Sequence, residues 1–355
     1  MLHHLFKKIK PIMTKLQFAI LQSYGIIRYA EREGERMLDV VSLFAGIGGI
    51  CLGFRQAGFN ICWANEKDHA ACLTYRHNLG DDYLIEGDIK KIDEGSIPGA
   101  DILAAGFPCQ SFSIAGAGGG FSDPRGALFF DVVRVASAIR PKVIFLENVE
   151  NLMEHDNGHT FQVIYSSLVE LGYIIRYRAM PTHEYANIPQ TRRRIYIVAF
   201  SDYELCNRFC FPDPIPLTVN ALDWIDRKVK QPNIYYYSND TAFDQYVRST
   251  VTDSNYIYRI FNGSVIKLKN RKCPTLTASM CTPQNAAVIK DPFGVRRLTL
   301  REALKFQGFP KDYYFPKTID IQSAYKQIGN SVSVPVIFRI AKNIHAVLLD
   351  NGNSC

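Results

Sequence analysis

Between residues 38 and 200 the chain alternates between short apolar runs and amphipathic stretches, and this limits its fold more than any other feature. The apolar runs lie at 38–44, 59–64, 83–85, 102–105, 143–146, 173–179 and 195–200, and amphipathic segments at 48–57, 68–78, 126–140 and 158–171. Short apolar runs separated by helical patterns read as strands joined by helical crossovers. The expectation is an α/β fold with a mainly parallel sheet. Ligands of such sheets bind at the carboxyl ends of the strands, so the residues just after each run are where chemistry belongs.

Past residue 203 the character changes. Prolines cluster in FPDPIPL, tyrosines stand among polar residues at 235, 236, 237, 246, 256 and 258, and KLKNRK at 267–272 is basic. This reads as a smaller, loop-rich lobe, with the tyrosines in its core or at the lobe interface rather than contacting a ligand. Helical periodicity returns from 296, and 336–349 reads as an apolar closing helix. The expected division is an extension at 1–37, a catalytic and cofactor-binding domain at 38–203, a second domain with its hinge at 204–317, and a returning segment at 318–355.

Composition removes several classes. With 47% hydrophobic and 21% charged residues the chain is an ordinary globular protein. No window approaches the roughly 18 uncharged apolar residues of a membrane span. The basic start, MLHHLFKKIKPIM, lacks the apolar core of a signal peptide, so a cytoplasmic location is expected. Nine cysteines without a C-x-x-C pair argue against structural zinc and a disulfide scaffold. His155 and His159 are spaced i, i+4, but Gly158 breaks a helix there and no third ligand converges, so no metal site is expected. A net charge of +7 is compatible with a polyanionic partner.

The strand ends carry the motifs. VSLFAGIGGICLG at 41–53 is a strand, a glycine turn with Gly46, Gly48 and Gly49, and a helix start, which suits close approach of an anionic ligand group. Glu66 ends the next run, twenty residues after Gly46, where an acid can accept both hydroxyl bonds of a ribose. Asp88 follows the third run and could accept from an adenine amino group. Turn and two acids together make a nucleoside pocket. The fourth run leads to Cys109 in GFPCQSFS, the fifth to Glu147 in LENV, and QTRRR precedes the seventh. Strand alternation puts Arg192 and Arg194 on one side and Arg193 on the other, so a cysteine, a carboxylate and two guanidiniums can meet at one sheet edge.

The ordered set LFAGIGG, NE, GDI, GFPCQSFS, DPRGALFFD, LENV, QTRRRIYIVAF, CPTLTAS, FQGFP and QIGNSV resembles the bacterial DNA (cytosine-5) methyltransferases of restriction–modification systems, across about residues 38 to 340. The resemblance implies a Rossmann-like S-adenosyl-methionine-dependent methyltransferase sheet with a smaller target-recognition domain, acting as a monomer on double-stranded DNA, with no membrane and no metal. It makes Cys109 the nucleophile toward cytosine C6, with Glu147, Arg192 and Arg194 supporting the base. It places Phe44, Gly46, Gly48, Gly49, Glu66, Asp88, Ile89, Pro108, Asn330 and Ser331 at the cofactor. It places Ser111, Ser113, Gln190, Lys267, Lys269 and Arg271 at the DNA. Two positions depart from the family pattern: Lys67 where an aromatic often follows the acid, and Cys273 where an arginine often precedes the proline. An RNA cytosine-5 methyltransferase shares the chemistry. A nucleotide-dependent oxidoreductase shares the glycine turn and acid but leaves the Pro-Cys, Glu-Asn-Val and Gln-x-Arg-x-Arg motifs without a role, and a binding module without turnover would not need all the reactive positions.

Overall fold

The structure is a computed structural model that describes residues 37–107, 127–269 and 271–349. Chain order gives β1 (Asp39–Leu43), α1 (Gly49–Gln56), β2 (Asn60–Glu66), α2 (His69–Leu79), β3 (Leu84–Glu86), β4 (Ile102–Ala105), α3 (Ala127–Ile139), β5 (Val143–Val149), α4 (His159–Glu170), β6 (Ile174–Pro181), α5 (Thr182–Tyr185), β7 (Arg193–Phe200) and α6 (Tyr203–Arg208). The seven strands form one sheet in the order β3-β2-β1-β4-β5-β7-β6. The first five are parallel neighbours, and β7 runs antiparallel to both β5 and β6. Strand order reverses between β1 and β4, so the crevice that such sheets use for ligands opens where Phe44 and Gly106 leave their strands.

Both faces of the sheet are covered, which is why its central strands read as unbroken apolar runs. On one side Val41, Leu103, Ile144 and Ile197 pack against Phe129 and Val132 of α3 and Ile164 of α4. On the other, Phe54 of α1 meets Phe145 edge-on with ring centres 5.2 Å apart. The closing helix crosses α1 at Gly53, where a Cβ would stand 2.5 Å from Ile337.

The remaining elements are α7 (Ala242–Thr250), β8 (Ile257–Phe261), β9 (Ser264–Leu268), β10 (Ala286–Asp291), β11 (Gly294–Arg297), α8 (Leu300–Phe306), α9 (Ile321–Asn330) and α10 (Val334–Leu349). β8 to β11 form an antiparallel sheet in the order β11-β10-β8-β9. Its first hairpin turns at Asn262-Gly263, with φ of 47° and 78°, the left-handed pair that a two-residue turn of matching twist requires. One face buries Tyr258, Ile260 and Val288 with Tyr237 and Val247. The tyrosines at 237 and 258 are therefore core, as expected, while Tyr246 is largely exposed.

The boundaries expected from composition do not follow the cores. Ala221 and Ile225, then Leu298, Leu304 and Phe306, share a core with Ile47 of the glycine turn and Val334 of α10. Among the described residues, the small sheet's own core is built by residues between 237 and 295. The 321–349 stretch is apolar and long enough to cross a membrane by composition, but it is two helices interrupted at 331–333, and half of its most apolar window is buried inside the protein. Its apolarity is that of a core element.

Candidate active site

The first half of the site is the glycine turn. Phe44 and Gly46 hold φ of 54° and 55°, and Gly48 has φ of 81°. A Cβ on Gly48 would meet Leu79 at 2.1 Å, so close packing of α2 also demands glycine there, whereas Gly46 faces open space. Glu66 fixes this turn: its Oε2 accepts from the Gly46 N–H at 2.8 Å, and its Oε1 accepts from the Lys67 and Asp68 N–H groups, both at 2.8 Å. A carboxylate offers about four acceptor sites. Three are used, so Glu66 has room for one further hydroxyl rather than the two expected from the sequence. Asn65 donates to Ile85 O at 3.0 Å and Gly87 O at 2.9 Å, tying the end of β2 to the turn that carries Asp88. Asp88 caps the short 3₁₀ turn at Ile89–Lys91, with Ile89 buried beneath it.

Ser331 closes this half. It lies at the end of α9, and among the described residues its buried Oγ has no hydrogen-bond partner. A Cβ on Gly49 would stand 2.8 Å from that Oγ, so glycine lets the serine approach the turn. An open glycine turn, an acid with a spare lone pair and an orphaned hydroxyl fit a nucleoside-bearing cofactor. Asn330 is exposed beside Ser331, and Phe44 is partly buried on the sheet core.

The second half is at β4 and β5. Asn148 donates to Phe107 O at 2.9 Å and accepts from the Val149 N–H at 2.8 Å, so it ties the end of β5 to the chain leaving β4. Glu147, only 7% exposed, borders that chain: a Cβ on Gly106 would lie 3.8 Å from its Oε2. Burial raises the Glu147 pKa, and the charges of Arg194 and then Arg192 oppose the rise. Arg194 Nε stands 3.3 Å from Glu147 Oε1, and its Nη1 donates to Arg193 O at 2.8 Å. The alternation reading holds: Arg193 points away and pairs with Glu150 at 2.9 Å.

Arg192 is placed differently from a substrate-facing group. It is 2% exposed, and its guanidinium donates to Leu276 O at 3.0 Å, to Gly329 O at 3.3 Å and to Ser331 O. Burial, then the like charge of Arg194, lower its pKa to about 9, still charged at neutral pH. Arg192 is thus a clamp that joins two backbone segments, at 276 and 329–331, beside Glu147. Gln190 also differs from expectation. It is fully buried, with Nε2 donating to Phe306 O at 2.6 Å and Oε1 accepting from Leu276 N–H at 3.5 Å, so its amide is spent internally and cannot face DNA.

Of the expected DNA-facing cations, Lys267 is already paired with Asp253 at 2.8 Å and sits over the Tyr256 ring. Lys269 and Arg271 are exposed. Pro108, Cys109, Ser111 and Ser113 lie outside the described residues. Among the described residues no group of His, Cys, Asp and Glu is placed to hold a metal ion. Three groups were not singled out from the sequence. Asn148 sits next to Glu147 in LENV, Leu276 is inside CPTLTAS, and Arg296 forms a buried ion network with Asp291 and Glu302, both at 2.8 Å. The last had a signal, because Thr299-x-x-Glu302 is a capping box and is seen as one.

Residues 38–346 match the family described as C-5 cytosine-specific DNA methylase. The chain belongs to that family. It is similar to the type II methyltransferase M.Bsp6I of Bacillus sp. (strain RFL6), 45% identical over 317 residues that cover 88% of this chain and 100% of the relative. It is 38% identical over 348 residues to the type II methyltransferase M.SsoII of Shigella sonnei, covering 96% and 88%. Two solved structures share the fold: a Spodoptera frugiperda DNMT2 mutant (TM-score 0.69, 18% identity, 87% and 99% coverage) and the S. pombe Dnmt2 methyltransferase (TM-score 0.67, 20% identity, 88% and 98% coverage). The protein is therefore a DNA (cytosine-5) methyltransferase of the restriction–modification type, with a Rossmann-like methyltransferase sheet. That assignment sets aside the oxidoreductase reading.

Proposed function

We propose that this methyltransferase acts on a cytosine turned out of duplex DNA, with S-adenosyl-methionine as its methyl source and a covalent bond from Cys109 to C6 of the base. The observation that carries the reading is Glu147, a buried carboxyl with a raised pKa that borders the backbone leading into Cys109.

When bound, S-adenosyl-methionine supplies an electrophilic methyl group. Its ribose would use the spare lone pair of Glu66, its adenine amino group Asp88, with Phe44 and Ile89 as apolar walls, and its methionine end the glycine turn at Gly46, Gly48 and Gly49, with Pro108, Asn330 and Ser331 closing the pocket. Cytosine C5 is a weak nucleophile. Addition of the Cys109 thiolate to C6 pushes electrons toward N3 and makes C5 enamine-like. Glu147 keeps its proton to a higher pH than an exposed carboxyl, so it can donate to N3 as sulfur adds. Arg194 steadies that carboxyl and the base carbonyl with a permanently charged planar fork. C5 would then take up the methyl group, and loss of the C5 proton, with return of the N3 proton to Glu147, expels the thiolate and leaves 5-methylcytosine. A base inside a duplex cannot offer C6 to a side chain, so it must leave the stack. The small lobe supports duplex DNA as substrate, with exposed Lys269 and Arg271 suited to phosphates. A cytoplasmic location goes with this reading.

The test is product identity. Full-length protein is incubated with methyl-tritiated S-adenosyl-methionine and either duplex DNA or RNA, and the digested nucleosides are separated. Label in 5-methyl-deoxycytidine supports the reading. Label only in 5-methylcytidine of RNA, or in no nucleoside, contradicts it.

A further inference from the structure

One face of the small sheet looks toward the core that holds Ile47, and that core covers it only in part. Ile257 on β8 and Ala287 and Ile289 on β10 are buried there. Farther along the same face of β8 the alternate positions are Arg259, half-buried, and Phe261, 47% exposed. The Arg259 guanidinium sits over the Phe261 ring, 4.5 Å from its centre. Among the described residues it has no other partner: no carboxylate and no hydrogen-bond acceptor meets it. This separates it from Lys267 and Arg296, whose charges are spent within the protein. A half-buried guanidinium carries five donors in a rigid fork, and acceptors that the chain does not supply must come from elsewhere.

The surroundings indicate which acceptors. Arg259 shares a cleft with Thr275, Thr277, Ser279 and Asn285. These are neutral, and Thr277 and Ser279 are hydrogen-bonded to each other through their hydroxyls at 2.9 Å. The cleft thus sets a single cation among neutral hydroxyl and amide groups. The aromatic ring beneath the guanidinium restricts its plane, which suits a planar pair of acceptors. The cleft also adjoins the reaction centre through the chain: Leu276, between Thr275 and Thr277, is held by Arg192 at 3.0 Å, and Arg192 lies beside Glu147.

We propose that Arg259 reads a guanine of the recognition sequence, its fork on the paired O6 and N7 acceptors that guanine shows in the major groove. This rests on the duplex-DNA reading above and adds a specificity-determining residue to it. Lys269 and Arg271, exposed outside the cleft, take the sequence-independent phosphates.

The experiment compares full-length wild type with Arg259→Gln and Arg259→Lys on a duplex library randomised around a cytosine, reading methylated sequences. Calorimetric binding of S-adenosyl-methionine to each variant checks that the fold is intact, and the lysine variant, which keeps the charge and the alkyl packing, supplies the readout if the glutamine variant fails that check. Wild type is expected to demand guanine at one position. Both variants are expected to relax that demand by roughly 5- to 150-fold while keeping preference elsewhere. Replacing that guanine by 7-deazaguanine, which lacks the N7 acceptor, is expected to slow wild type and not Arg259→Gln. A loss that is even across all sequences with a shallower salt dependence marks a phosphate contact and overturns the proposal, as does an unchanged preference. Wild-type protein that methylates no duplex overturns the duplex-DNA reading first and this proposal with it.

Discussion

At the scale of single residues, two groups of the same chemistry have opposite fates. Arg192, just before β7, and Arg194 on it are two apart, yet Arg192 is consumed by three backbone carbonyls and Arg194 stands 3.3 Å from Glu147. Spacing puts both on the right side of the sheet. It does not show that the 276 and 329–331 segments return to meet only one of them. Gln190 was placed at the DNA from its motif position for the same reason, since its acceptors lie more than a hundred residues away. Glu147 was legible as a carboxylate at a strand end, but its raised pKa is a product of burial. That shift has a sign. A carboxyl whose folded pKa is raised binds its proton more tightly when folded, so its contribution to stability is present below the ordinary glutamate value and is lost as pH rises through the folded one. Glu147→Gln removes this dependence. The variant's melting temperature relative to wild type is expected to rise from acid toward neutral pH, while turnover falls about 10²- to 10⁴-fold. A melting difference that is flat with pH, or a near-normal rate, contradicts the assignment.

At the scale of elements, the periodic half of the chain was largely readable. The run at 83–85 becomes β3 (Leu84–Glu86), and the run at 59–64 extends into β2 (Asn60–Glu66), which places Glu66 on the strand itself. The reversal of β7 was not readable, because a buried antiparallel strand is as apolar as a parallel one. The small sheet was missed although Asn262-Gly263 between alternating residues is a hairpin signal, since its strands are short and β9 carries little buried surface. Elements that meet far from each other in sequence depend on clamps. Helix α9 lies against the 277–278 backbone so closely that a Cβ on Gly329 would stand 2.1 Å from Thr277 C, and Arg192 bonds both sides of that contact. Arg192→Ala leaves three buried carbonyls without a donor, each costing about 1–3 kcal/mol. Urea unfolding should show a loss of about 3 kcal/mol or more for Arg192→Ala and a clearly smaller one for Arg194→Ala, whose side chain reaches solvent. Equal losses would mean that Arg192 is not the clamp described.

At the scale of the molecule, composition located the change of character near 204 but not the way the parts join. The core with Ile47 and Val334 takes in Ala221, Leu298 and Phe306, so the polypeptide leaves and re-enters the catalytic body on both sides of the small sheet. A proline- and tyrosine-rich stretch reads as one lobe because composition is local, while a core is shared by residues at any separation. The same arrangement gives the enzyme its logic. The 274–279 segment lines the Arg259 cleft on one side and is bolted to the Glu147 surroundings by Arg192 on the other. If Arg259 reads the site as proposed, site choice and chemistry are joined through this one segment.

The central claim is that Cys109 attacks C6 of a flipped cytosine beside Glu147. The most direct measurement is to incubate the full-length protein and S-adenosyl-methionine with duplexes carrying 5-fluorocytosine, whose fluorine blocks the final elimination, and to map any adduct that survives denaturation. A covalent complex attached at Cys109, with duplexes of one sequence and not others, is the predicted result. An adduct at another residue, or none with any duplex, would contradict the claim.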